Sequence, residues 1–521
     1  MSSIKESPTA ETTLGKLRGS YDSQDHSVAV FKGIPYAAPP VGDLRWRPPQ
    51  DAPAWAGIRE AIEFSPAAHQ LTDDLFFKFI VRAHGLDPAI VPQRVFAMDE
   101  DCLYLNVWTA NLQGARLQPV MVWIHGGAFA TGSGGYPAYD GTRLAQRGVV
   151  VVTINYRLGA LGFLAHPELS AESERDVSGN YGMLDQIKAL EWVRNNIAAF
   201  GGDPSQVTIF GESAGGASVA MLMTSPLAEG LFHRAIVQST PALAEMRDLK
   251  KRVGRLQSAE HIGQSIARRL NVEGPNALHQ LRAKSPQEIL SVMFFPSVVV
   301  DGWVFPLSMT EAYSLGKHQK IPFIVGFNAD EGTALTGSNP TLGPAGRPIT
   351  SVEEYRQSVE ALYGEHAREI LEYYPVDSTG DLAKARSDFV GDETFGSIAY
   401  AMARSSGGGP RWFYHFRRVP PEPATHVLGA YHSAEISFVF GTPTFFPRQP
   451  YDNSLSETMM DYWTQFAKTG DPNKEGLPAW PIYDPDADQY LVLDENIRLE
   501  KVANADRFEL FNRIARQRRG L

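Results

Sequence analysis

The sequence predicts a doubly wound α/β protein, a mostly parallel sheet with helical insertions. Two observations carry this. First, the apolar runs at 120–124, 149–152, 207–210, 235–237, 323–325 and 412–414 do not alternate apolar with polar residues. Strands buried on both faces read this way, because a parallel sheet is covered by helices on each side. Second, helical patterns lie between these runs. Residues 185–200 carry Ile187, Leu190, Val193 and Ile197 close to the helical period.

Taken in order, residues 15–60 mix short strand-like runs with turns such as 38–42. Residues 217–223 form a helix-like run directly after the third strand. Residues 259–270 and 352–374 are expected as helices of an excursion from the sheet. Stretches 72–99 and 337–348 are expected as mobile loops, and 405–410 as a Gly-rich turn before a strand. No stretch has the composition of a linker, so one domain over 1–521 is expected.

Composition narrows the function classes. The 521 residues are 43% hydrophobic and 21% charged, as in ordinary globular proteins. Lys and Arg number 48 against 59 Asp and Glu, a net charge of −11. That balance argues against nucleic acid and against anionic membrane surfaces as partners. No apolar run approaches the roughly 18 residues of a membrane span. The segment 1–19 is polar and lacks the apolar core of a secretory signal. Cys102 is the single cysteine, so no intrachain disulfide forms. A soluble, cytoplasmic protein is expected. There is no spaced His/Cys cluster and no phosphate-binding Gly-rich loop with lysine, so no metal or organic cofactor is expected. Oligomeric state is not legible.

The chemistry is concentrated in a few motifs. The run 207–210 leads into Gly211-Glu212-Ser213-Ala214-Gly215-Gly216. A serine between a strand and a helix, flanked by glycines, is the setting of a nucleophile elbow. At a helix N-terminus the dipole favours developing negative charge. The run 120–124 ends in His125-Gly126-Gly127-Ala128-Phe129. Glycines here let the amides of Gly126 and Gly127 converge, and with the amide of Ala214 they would form an oxyanion hole. A nucleophilic serine needs a base and an acid that orients it, and in this chain order both follow the serine. Asp330 and Glu331 follow the strand at 321–327, and spacing alone admits either. His366, His415, His426 and His432 lie beyond. His366 sits on a polar helix face, His415 inside an aromatic strand and His426 in a loop. His432 stands where a loop meets an apolar helix, and it leads as the base.

These motifs resemble those of the type-B carboxylesterase and cholinesterase family, especially bacterial carboxylesterases of the p-nitrobenzyl esterase kind. The resemblance runs nearly end to end through 31–37, 100–106, 155–159, 179–182, 200–216, 466–473 and 480–481. It implies an α/β-hydrolase fold, a serine esterase acting on small-molecule esters, and Ser213, Glu331 and His432 as the triad. It implies Gly126, Gly127 and Ala214 as the oxyanion hole, and Glu212, Ser239 and Glu435 as buried polar support. It also implies two departures. Ala68 stands where secreted members carry a partner for the cysteine at 102, so Cys102 is expected to be a free, buried thiol. No aromatic lies in 87–93, so a cation–π site for choline is missing. Alignment of 292–302 places Val292 and Phe294 where cholinesterases narrow the acyl pocket with two aromatics. Neutral esters with acyl chains somewhat larger than acetyl are therefore expected. The same triad also serves carbamate or amide hydrolases and lipases, and the family includes non-catalytic adhesion proteins.

Overall fold

The computed structural model describes residues 6–23, 25–71, 87, 97–241, 246–254, 256–274, 276–336, 349–421, 428–443 and 448–521. Apart from residues 87 and 97–99, the stretches expected as loops at 72–99 and 337–348 lie outside the described residues, as does His426.

Eleven strands form the main sheet among the described residues. In chain order they are β1 (Ser20–Tyr21), β2 (Ala29–Pro35), β3 (Tyr104–Thr109), β4 (Gln118–Ile124), β5 (Val150–Ile154) and β6 (Gly202–Glu212). There follow β7 (Arg234–Gln238), β8 (Phe323–Asn328), β9 (Arg411–Phe416), β10 (Gln489–Leu493) and β11 (Arg498–Lys501). Their spatial order is β1-β2-β3-β5-β4-β6-β7-β8-β9-β10-β11. From β5 through β10 every pairing is parallel. The antiparallel pairs lie toward the two edges. All six apolar runs fall in the parallel centre. The run expected at 149–152 pairs as Val150–Ile154.

The sheet divides the core into two layers because strand side chains alternate in direction. Val120, Val122 and Ile124 of β4 join one cluster with Met183, Leu190 and Val193. Met121 and Trp123 join the other with Phe440, Met459 and Trp463. Both faces are apolar, which is why these strands show no alternation in sequence. The first layer is closed by α1 (Tyr181–Asn196) and α2 (Ala214–Leu222). The second is closed by helices Ile436–Phe440 and Asp452–Thr469. The excursion contains α3 (Ala259–Arg269), as expected. The stretch expected as one helix over 352–374 is instead two, α4 (Val352–Tyr363) and α5 (Ala367–Tyr373). Gly364, at φ 53°, breaks it, since left-handed backbone cannot continue an α-helix. Cys102 is a buried free thiol, and burial raises its pKa far above the ordinary value. No helix among the described residues is long and apolar enough to cross a membrane.

Candidate active site

The carboxyl ends of the parallel strands gather the functional side chains, as open α/β sheets generally do. Strand β6 ends at Glu212, α2 begins at Ala214, and Ser213 makes the turn with φ 57° and ψ −124°. That conformation costs a non-glycine residue about 1–3 kcal/mol and is retained where the surroundings over-determine it. Here they do. The Ser213 N–H donates to the Gln238 carbonyl at 3.0 Å, and the Ser213 carbonyl accepts from Ala217 at 2.8 Å. A Cβ on Gly215 would lie 2.0 Å from the Ile124 carbonyl oxygen, so the turn requires glycine there. Ser213 Oγ makes no hydrogen bond among the described residues.

Strand β4 delivers the glycine turn. A Cβ on Gly126 would lie 3.0 Å from Ser213 Cβ, so this residue abuts the serine. Gly127 has φ 104°, and Ala128 and Phe129 follow in the left-handed region at 55° and 57°. The turn is held by Ala130 and Thr131, whose N–H groups donate to the Gly127 carbonyl at 2.9 Å. Below it, the imidazole of His125 stacks on Tyr156 with ring centroids 4.4 Å apart. The N–H of Ala214, first in α2, has no acceptor within its helix.

Glu331 opens a short 3-10 turn, Glu331–Ala334, just past β8. Its Oε2 lies 2.6 Å from His432 Nδ1, and its Oε1 accepts from the Asn328 N–H at 2.7 Å. Glu331 is 1% exposed. Asp330, half-buried, instead accepts the Ala430 N–H at 2.7 Å and so fastens the histidine loop. Of the other histidines, His366 falls in a short 3-10 turn, and His415 is buried in β9 against Phe327. The structure thus joins Glu331 and His432 and leaves Asp330, His366 and His415 out of that pair.

The second imidazole nitrogen faces a carboxylate. His432 Nε2 lies 3.2 Å from Glu212 Oε1, and no hydrogen bond joins it to Ser213 among the described residues. The same Glu212 oxygen accepts from Ser433 Oγ at 2.5 Å. Glu212 therefore touches the histidine directly and is more than support behind it. Glu435 is tied by Asn328 Nδ2 at 2.7 Å and Gln238 Nε2 at 3.0 Å, and Trp463 Nε1 donates to Gln238 at 3.0 Å. Ser239 follows β7 with φ 46°, and its Oγ is buried without a partner among the described residues. No hydrogen bond links it to the carboxylates. Asn328, Gln238 and Ser433 carry no motif in the sequence. Their only signal is position, at a strand end or beside the histidine.

Charge follows from this packing. Burial disfavours the imidazolium of His432, but Glu212 and Glu331 more than offset that and hold its pKa at about 9. That is well above the ordinary value for a histidine, near 6.5. Burial raises Glu212 and Glu435 above the usual carboxylate range. A base must be neutral to accept a proton, so activity should climb with pH through the weakly alkaline range. Removing the anion nearest Nε2 should lower that limb. For Glu212→Gln, the acid limb of kcat/KM is expected to move to lower pH than in the wild type. An unmoved or higher limb would contradict a Glu212 anion acting on Nε2.

Val292 shares a buried cluster with Leu161 and Ile289. Phe294 lines a cavity of about 210 Å³ with Phe163, whose ring lies 5.1 Å from that of Phe129 in the glycine turn.

A sequence profile described as the carboxylesterase family matches residues 6–511. Fumonisin B1 esterase of Sphingopyxis macrogoltabida is 37% identical over 486 residues, covering 89% of this chain and 83% of that protein. Liver carboxylesterase of Sus scrofa is 35% identical, covering 97% and 92%. Among solved structures, a PNB esterase superposes with TM-score 0.79 and 31% identity, covering 97% of this chain and 100% of that one. A thermophilic PNB esterase gives 0.81 at the same identity and coverage. With the α/β-hydrolase architecture of those neighbours and a family match over nearly its whole length, the chain belongs to the carboxylesterase family and is a carboxylic ester hydrolase.

Proposed function

We propose that the chain, as one unit over 1–521, hydrolyses neutral short- to medium-chain carboxylic esters through an acyl-enzyme on Ser213. The observation that carries this is the strained Ser213 turn beside Gly126, with the buried Glu331–His432 pair at 2.6 Å. Ser213 Oγ attacks the ester carbonyl carbon as its proton passes to Nε2 of neutral His432. The carbonyl π electrons move to oxygen, and the N–H groups of Gly126, Gly127 and Ala214 stabilise that charge. Collapse expels the alcohol, which takes the proton back from His432. Water repeats the sequence and releases the acid. Glu331 holds the imidazole with its proton on Nδ1, leaving Nε2 to accept. Every step is supplied by side chains and backbone, with no cofactor.

The substrate range rests on Val292 and Phe294 as residues of the acyl side and on the absence of an aromatic in 87–93. A valine in place of a ring widens the acyl side, and each methylene accommodated is worth about 1–3 kcal/mol. In a chain-length series of p-nitrophenyl esters, run beside amide and carbamate analogues, butyrate or hexanoate is expected to exceed acetate in kcat/KM. Acetylcholine is expected to turn over poorly, and Val292→Phe to move the optimum toward acetate. Acetylcholine matching the best neutral ester would overturn this range. A cytoplasmic location is part of the proposal and is supported by the single, unpaired Cys102.

A further inference from the structure

The segment covering the acid–base pair carries an unusual turn. Helix α6 (Leu382–Gly391) is followed by a π-helical turn, Asp392–Gly396, and then by α7 (Ser397–Arg404). A π turn carries an extra residue per turn and so re-aims the side chains around it. Phe395, within this turn, has its ring centroid 4.6 Å from that of the His432 imidazole, with the planes tilted by 38°. The preceding helix reaches the other partner. A Cβ on Gly391 would lie 3.7 Å from Glu331 Cβ, and one on Gly332 would lie 2.0 Å from the Ser387 carbonyl oxygen. One continuous stretch therefore packs on both Glu331 and His432.

The π turn is anchored from outside. Asp392 is buried, and its Oδ2 accepts from Tyr374 at 2.7 Å and from Arg507 Nη1 at 3.3 Å. Its Oδ1 accepts from Asn504 Nδ2 at 3.3 Å. Arg507 lies on α8 (Ala505–Arg518), which Asn504 caps, and it also covers the Tyr374 ring at 5.0 Å. Phe508 of the same helix lies against Gly396, where a Cβ would meet its ring at 2.4 Å. The last helix of the chain is thereby linked to the imidazole.

Resting on the reading of His432 as the base, we propose that Phe395 is a positioning residue for that imidazole, held in place by the Asp392–Tyr374–Arg507 anchor. The ring covers one face of His432 and keeps water from it. The imidazole must carry its proton on Nδ1 and present Nε2 to the serine, and a displacement near 1 Å costs about 100-fold in rate. The charged groups facing His432 are Glu212, Glu331 and Glu435. Phe395 is the apolar wall that denies the imidazolium water, so its loss should hydrate and favour the charged form.

The test measures kcat, KM and the pH profile for Phe395→Ala, Phe395→Leu, Phe395→Tyr and Arg507→Met on a p-nitrophenyl ester, with active sites titrated and thermal melting recorded. For Phe395→Ala, kcat is expected to fall about 10-fold or more with KM within about 3-fold. Its acid limb should rise by about half a pH unit. Phe395→Tyr should restore both, with Phe395→Leu between. Arg507→Met, altered at a partly exposed side chain, should shift both in the same direction by less. Should Phe395→Ala fail to fold, the leucine and methionine variants decide the matter. Wild-type kcat and limb in those variants, or a fall in kcat with an unmoved limb, would overturn the proposal. His432→Ala is the separate control. If it is inactive while the Phe395 variants are normal, positioning alone fails; if it stays active, the base assignment fails as well.

Discussion

Ser213→Ala is expected to lose about 10⁴-fold or more in turnover while melting close to the wild type. The loss follows from chemistry, since without Oγ no acyl-enzyme forms. What remains is the catalysis supplied by the oxyanion hole and by binding. The intact fold follows from the contacts. The elbow is held through backbone, by Ser213 N–H to Gln238 and by Ala217 to the Ser213 carbonyl. The hydroxyl makes no hydrogen bond among the described residues, so its removal orphans no protein group. Kinetics on purified protein with melting curves checks both halves. Wild-type-like turnover by the folded variant would remove Ser213 as the nucleophile.

Glu331→Gln is expected to lower kcat by about 10³–10⁴-fold at neutral pH, nearly as much as removing the nucleophile. The two Glu331 oxygens each accept a proton, one from His432 Nδ1 and one from the Asn328 N–H. A glutamine has one oxygen and one NH₂ in their place. If its oxygen keeps Asn328, its NH₂ faces Nδ1 and forces the imidazole proton onto Nε2, where no base remains. If it keeps Nδ1, two N–H groups meet across a buried contact at the end of β8. Loss of the anion also lowers the pKa of His432, so the remaining activity should have its acid limb at lower pH. Asp330→Asn is the control, because among the described residues the Asp330 carboxylate accepts only the Ala430 N–H in the loop. Its effect should stay within about 10-fold. Equal losses in the two variants would contradict the assignment of Glu331.

The parallel strands are legible in sequence because each carries apolar side chains to both core layers, as Val122 and Trp123 do on opposite faces of β4. The elbow is legible because a tight turn leaves no room for Cβ at Gly215 and Gly126. Glu331 could not be told from Asp330 by spacing, since both follow β8. Only burial and the direction of each carboxylate separate them. The approach of Glu212 to Nε2 and of Phe395 to the imidazole is not legible at all. Each joins segments distant in the chain, and a π turn has no local pattern that marks it. The break at Gly364 does carry a local signal, since a glycine within a helical pattern is a natural stopping point.

Ser213 as the attacking residue is tested most directly by inactivating the wild-type enzyme with a stoichiometric fluorophosphonate and mapping the adduct by peptide mass spectrometry. Loss of fluoride leaves a phosphonyl group on the attacking oxygen. One equivalent is expected on Ser213, abolished in Ser213→Ala and strongly slowed in Glu331→Gln. An adduct on another residue accounting for the inactivation, or full hydrolytic activity in protein fully labelled at Ser213, would contradict it.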